Sequence, residues 1–94
     1  MTVLESEIEA KLRRMVKQTG GLCLKWVCPG WAGVPDRIVL LPMGQVVFVE
    51  TKRPKGGEVA KRQEWWANKL LGLGFQHFFI WNEEDLEEFK ENVL

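Results

Sequence analysis

The sequence has little of what would tie it to a membrane, a disulfide framework or a histidine-centred site. No run in its 94 residues approaches the roughly 20 apolar residues of a membrane-spanning helix. The N-terminus turns charged at Glu5, so no signal peptide is expected. Its two cysteines, Cys23 and Cys28, are not spaced as a zinc knuckle and no second pair follows. They read as free thiols of a reducing compartment. The one histidine, His77, has nothing to pair with in sequence and reads as structural or surface. No internal repeat, linker or low-complexity segment breaks the chain, so one domain over residues 1–94 is expected.

Net charge is also lacking, since the formal sum is zero. The zero hides a segregation. Residues 83–94 hold six acids and one base, while residues 1–82 hold twelve bases and seven acids. Charge alone still fits an acidic terminal helix on an ordinary mixed surface.

What is present is a clear alternation of helical and strand patterns. Over residues 3–18, Leu4, Ile8, Leu12, Met15 and Val16 form one stripe at helical spacing, ended by Gly20-Gly21. Residues 22–27 read as a strand and 29–33 as a loop of turn formers. Arg37 to Leu41 and Val46 to Val49 are short β-branched runs suited to buried strands. A flexible loop over 54–57 precedes a second helix, Glu58 to Leu71, and a fourth strand, His77 to Trp81. Asn82 caps a last helix with Leu86, Phe89 and Val93 facing inward. The order is αβββαβα.

Two strings carry chemistry. They are Val34-Pro35-Asp36-Arg37-Ile38 and, fourteen residues past the aspartate, Glu50-Thr51-Lys52. Period-two geometry puts Glu50 and Lys52 on one strand face, a carboxylate beside an ammonium. The connection between the strands decides whether Asp36 joins them. A two-residue loop at Met43-Gly44 pairs Asp36 with Thr51 and separates the acids. A three-residue loop, Pro42-Met43-Gly44, pairs Asp36 with Glu50. Pro at the first position and Gly at a left-handed third position suit a type I turn with a bulge, which selects the second register.

Phosphodiester hydrolysis needs a hard cation, and Mg²⁺ takes oxygen ligands while keeping several waters. Asp36 and Glu50 supply two ligands, and the Thr51 carbonyl, on the backbone between Glu50 and Lys52, is a further candidate. Taken alone, an Asp after Pro also fits a turn, and Glu-x-Lys also fits an edge-strand ion pair. A third acid should come from the first helix, where Glu5, Glu7 and Glu9 are candidates. On a helical wheel Glu5 lies about 50° from the centre of the apolar stripe, Glu9 roughly 90° and Glu7 roughly 110°. Glu5 is the acid best placed to reach inward, although all three also suit the helix dipole. Gln63 falls on the apolar face of Val59, Trp66 and Leu70. A polar amide there must find partners, either in the core or at Lys52, a water or a phosphate.

Together Glu5-x-x-Ile8, Gly33-Val34-Pro35-Asp36-Arg37, Phe48-Val49-Glu50-Thr51-Lys52 and Gln63 resemble the VRR-NUC (virus-type replication-repair nuclease) domain of the PD-(D/E)XK superfamily. The resemblance spans residues 5 to about 81. It implies an α/β, restriction-endonuclease-like fold with a central mixed four-stranded sheet flanked by helices. It implies that Glu5, Asp36 and Glu50 bind Mg²⁺ or Mn²⁺, that Lys52 positions the nucleophile, and that Gln63 supports the site. Thr51 stands where members often carry a more apolar residue. A free-standing domain of this kind resembles the small viral and bacterial versions, which act as dimers on branched DNA. That leads to a metal-dependent, structure-selective endonuclease of four-way (Holliday) junctions in DNA repair, working as a homodimer in the cytoplasm of a bacterial or phage-infected cell. Flaps or nicked ends are the alternative substrates. A non-catalytic DNA-binding module and a structural homodimer are the alternatives in kind.

Arg13, Arg14, Lys17, Arg53, Lys55, Lys61 and Arg62 are the candidate phosphate contacts. Trp31 could stack on a splayed base or pack in a dimer interface. Trp65 and Trp66 cannot both face inward on one helix, so a partner chain is expected to cover one of them.

Overall fold

The computed structural model describes residues 4–53 and 55–94. Val3 and Pro54, which the sequence assigns to the first helix and the loop after Lys52, lie outside the described residues.

Ile8, Leu12 and Val16 recur every fourth residue, so α1 (Glu5–Gln18) has one stripe that must cover an apolar surface. That surface is one face of a sheet. Val39 and Leu41 of β2 (Arg37–Leu41) and Val47 and Val49 of β3 (Gln45–Thr51) alternate toward it. Ile80, at the end of β4 (Gln76–Ile80), and Leu86 and Phe89 of α3 (Glu83–Val93) complete the core. Phe78 meets Phe89 edge-on at 5.3 Å between ring centroids. The Asn82 side chain accepts from Asp85 N, capping α3 as its sequence indicates. Lys11 pairs with Glu83 across the α1–α3 seam.

The strand order is β1 (Leu22–Lys25), β2, β3, β4. The first three run antiparallel, and β4 is parallel to β3. A parallel pair needs a crossover, and α2 (Lys61–Gly72) supplies it while covering the second face of the sheet. There Trp66 packs on Trp26, and Trp26 on Phe48, with centroids 5.8 and 5.3 Å apart. The fold is thus the mixed four-stranded sheet flanked by helices, in the order αβββαβα. No helix among the described residues is long and apolar enough to cross a membrane. Cys23 and Cys28 are free and half-buried.

The β2–β3 register runs from Leu41↔Gln45 to Arg37↔Val49, so one more step sets Asp36 opposite Glu50. The three-residue connection holds, with Gly44 at φ +75°. Its shape differs from the expected type I turn, because Met43 also enters the left-handed region at φ +67°. Met43 is fully solvent-exposed, so packing imposes no conformation on it.

Element ends shift for identifiable reasons. β3 extends to Thr51 because Glu50 and Thr51 still pair with Phe79 and Ile80 of β4. α2 starts at Lys61 rather than Glu58. Ala60 is the extended residue before it (ψ 154°), and its N–H donates to Gln63 Oε1 at 3.0 Å. β1 stops at Lys25, although Trp26 N still donates to Asp36 O at 2.8 Å.

Candidate active site

Four elements end at the same corner of the sheet. The first turns of α1 bring Glu5 and Glu9, the start of β2 brings Asp36, the end of β3 brings Glu50, Thr51 and Lys52, and the first turn of α2 brings Gln63. They surround a cavity of about 300 Å³, lined by Glu5, Asp36, Glu50, Thr51, Lys52 and Gln63 together with Arg53, Gly57 and Glu58.

Strand alternation splits this corner into two linked halves. Thr51 faces α1. Its hydroxyl lies 2.8 Å from Glu9 Oε1, 3.2 Å from Asp36 Oδ2 and 3.4 Å from Glu5 Oε1. A hydroxyl has one proton, so it satisfies one of these three oxygens at a time. The carboxylates of Glu5, Glu9 and Asp36 each place an oxygen within 4.8 Å of the others. That donor set, all hard oxygen with more negative charge than neighbouring donors neutralise, fits a divalent cation. Arg37 offsets part of the charge, its Nη2 lying 3.7 Å from Glu9 Oε2. Its buried Nε has no partner among the described residues.

Glu50 and Lys52 face α2. Gln63 Nε2 donates to Glu50 Oε1 at 3.0 Å, and Lys52 Nζ donates to Gln63 Oε1 at 2.5 Å. Lys52 Nζ also lies 3.7 Å from Glu50 Oε1. The halves are stitched by backbone. Asp36 N donates to Glu50 Oε2 at 3.2 Å, and Thr51 N donates to Asp36 Oδ2 at 3.3 Å. Asp36 precedes the β2 ladder, which leaves its carboxylate free to turn from Glu50 toward Thr51. Burial and the adjacent Asp36 carboxylate push Glu50 up from 4.5 to about 8, against the pull of Lys52. Burial alone draws His77 down from 6.5 to about 4, and it contacts Phe79 rather than the site.

The structure therefore brings together Glu5, Asp36, Glu50, Thr51, Lys52 and Gln63. Thr51 meets the acids through its hydroxyl, where the sequence suggested its carbonyl. Glu9 belongs with them, although the helical wheel ranks it behind Glu5. The wheel measures angle from the apolar stripe, whereas a glutamate at the open end of the sheet can reach around. The legible signal is the four-residue spacing, which makes Glu5 and Glu9 neighbours on the helix surface. Arg37 escaped notice because its neighbour Asp36 explains the motif without it.

The candidate phosphate contacts are all exposed, and they disperse. Arg53 lines the cavity, and its Nη2 donates to Gly56 O at 3.4 Å. Lys55 sits on the same loop, and Lys61 and Arg62 open α2. Arg14 lies in the α1–α3 groove with Glu83 and Glu87. Arg13 and Lys17 lie about 12 and 18 Å along the helix axis from Glu5. Of the adjacent tryptophans, Trp66 turns inward and Trp65 outward, 51% exposed.

No family model matches the chain. A protein of Acyrthosiphon pisum secondary endosymbiont phage 1, named "Putative nuclease p44", is 39% identical over 84 residues, covering 89% of this chain and 88% of the phage protein. A solved structure described as "VRR_NUC domain" superposes with a TM-score of 0.88 at 23% identity, covering 96% of this chain and 97% of that one. The chain thus belongs to the same family as the phage nuclease, and its fold is the restriction-endonuclease-like fold of the VRR_NUC domain.

Proposed function

We propose that the protein is a Mg²⁺- or Mn²⁺-dependent DNA endonuclease. One observation carries this reading: the carboxylates of Glu5, Glu9 and Asp36 converge within 4.8 Å, beside a lysine held by a glutamine. The phage relative's name supports the same class of activity. Glu5, Glu9 and Asp36 would hold the cation, with Glu50 as a further ligand once its proton leaves. When bound, such a cation stabilises charge on the scissile phosphate and acidifies water. Lys52 has three donors and gives one to Gln63, which leaves it able to orient a water or a phosphate oxygen. Gln63 fixes where that ammonium stands. Arg53 lines the cavity, and on this reading it would contact the flanking phosphate.

The substrate is branched DNA, with the four-way junction favoured, and the working unit is a homodimer. A two-fold axis would supply the two active centres that paired cuts in a symmetric junction require. The β1–β2 half of the sheet gives the dimer a surface. Leu22 pairs with Leu40, and Leu24 with Ile38, on the face away from α1. Leu22, Leu24 and Leu40 are 58%, 44% and 36% exposed, because α2 packs toward β4 at the other end of the sheet. An uncharged face of this kind suits a second copy of itself.

End-labelled four-way junction, flap, nicked duplex, plain duplex and single strand, incubated with Mg²⁺, Mn²⁺ or EDTA, test the reading. Paired cuts in the junction that vanish in EDTA are the expected result. Binding with no cutting of any substrate in either metal would mean a DNA-binding module. Single cuts confined to flaps or nicked ends would move the substrate assignment.

A further inference from the structure

Beside Gln63, α2 opens into an aromatic pocket that the metal site leaves unused. Trp66 is its floor. Trp31 and Trp65 stand on that floor at 80° and 88°, with centroids 5.7 and 5.3 Å away. The floor is fixed before any guest arrives, since Trp66 Nε1 donates to Ala32 O at 3.1 Å and its ring packs edge-on against Trp26. The loop is pinned as well. Gly33 sits at φ +85° against Arg62, where an added Cβ would fall 2.5 Å from Arg62 Cβ. Trp31 is 60% exposed and Trp65 51%. The pocket holds about 310 Å³ and is lined by Gly30, Trp31, Ala32, Arg62, Trp65 and Trp66.

Its chemistry is that of a flat aromatic guest attached to an anion. Indole walls offer stacking faces, Arg62 offers a guanidinium, and no acid among the described residues lines the space. Its position points the same way. Trp66 follows Gln63 by three residues on one helix face, about 5 Å along the axis. Trp31 precedes Asp36 by five residues in a loop that runs straight into the site. A second copy of the chain would find a better surface at Leu22, Leu24 and Leu40, which present apolar side chains without a cation.

We infer that this pocket stacks an unpaired nucleobase from the DNA strand whose backbone enters the Asp36–Glu50–Lys52 cavity. The protein thereby selects DNA with an unstacked base beside the cut. The inference rests on the nuclease reading for the strand's direction, and its test is separate from cleavage.

Fluorescence anisotropy in EDTA compares oligothymidylate with an abasic strand of the same length. Stacking of one base should make the wild-type protein bind the base-bearing strand on the order of tenfold more tightly. Trp31→Ala and Trp65→Ala should bring the two strands toward parity without weakening the abasic one, and Trp31→Phe should keep most of the preference. Equal wild-type affinity for both strands overturns the inference. So does a Trp65→Ala protein that keeps its base preference while light scattering shows a dimer become a monomer, which assigns the tryptophans to a second copy. A base preference in a protein that cuts no DNA supports the pocket while removing the nuclease reading. Cutting of branched DNA without a base preference does the reverse.

Discussion

Lys52 Nζ donates to Gln63 Oε1 at 2.5 Å, so the ammonium is held by a neutral amide rather than by a second acid. The same oxygen accepts from Ala60 N, and the amide nitrogen donates to Glu50. Gln63 therefore orders Lys52 and Glu50 together while finishing the start of α2.

Removing the ammonium should cost turnover rather than metal affinity. Lys52→Ala is expected to lower the single-turnover cleavage rate by about 10²-fold or more, while Mn²⁺ affinity by calorimetry stays nearly unchanged. Gln63→Ala should cost less, about tenfold, since Lys52 keeps its charge. A Gln63→Ala protein that cuts normally but melts earlier would reduce Gln63 to a helix cap.

Glu50 ties stability to pH. Its folded-state value of about 8 lies above its ordinary 4.5, so the native state holds a proton that the unfolded chain has lost. That contribution is full below about 4.5 and is lost as pH rises toward 8, falling by at most a few kcal/mol, on the order of one per pH unit. His77 acts oppositely. Drawn down to about 4, it gives stability that rises with pH from 4 to 6.5 and is level above. The two oppose each other at lower pH, so the window from about 6.5 to 8 isolates Glu50. Urea melts of metal-free protein should weaken across that window, and those of Glu50→Gln should not. Glu50→Gln and Asp36→Asn should both abolish cleavage. A cutting Glu50→Gln enzyme would sink the ligand assignment.

Glu9 should matter as much as Glu5. Each of Glu5→Gln and Glu9→Gln removes one converging oxygen, and each should weaken Mn²⁺ binding by about tenfold or more. Glu7→Gln is the control, since Glu7 stands apart from the cluster. Unchanged Mn²⁺ affinity in Glu9→Gln would confine Glu9 to its ion pair with Arg37.

A charge on the open sheet face should split the dimer. Leu24→Glu introduces a carboxylate where Leu24 is 44% exposed, so the monomer should fold at little cost. Light scattering should then show half the wild-type mass, with paired junction cuts replaced by single nicks. A Leu24→Glu dimer would place the interface elsewhere.

The corner of the sheet was legible because strand period and turn length are discrete. One residue more or less between Leu41 and Gln45 flips every side chain, so the register setting Asp36 opposite Glu50 could be chosen from Pro42 and Gly44 alone. Gln63 was legible because an amide on an apolar stripe has few destinations. Glu9 and Arg37 were harder, since both depend on how far long side chains bend around a sheet end, which no periodicity encodes. The start of α2 was missed for a related reason. Gln63 caps the helix from inside it, so the boundary depends on a partner three residues ahead. The backbone of Met43 was missed because full exposure frees it from any packing rule.

The β4 strand meets β3 only after residues 52–75 have looped across the sheet, whereas β1, β2 and β3 pair with neighbours in the chain. Local pairings close at low entropic cost and the long crossover closes at a higher one, so the β2–β3 hairpin is expected to form ahead of the β3–β4 pair. On the roles proposed above, a chain still leaving the ribosome would hold Asp36 and Glu50 side by side without the amide that steadies Lys52. Completing the crossover adds that amide. Fold completion would then be the last step in tuning the site, leaving the nascent chain slower toward nearby nucleic acid than the finished one.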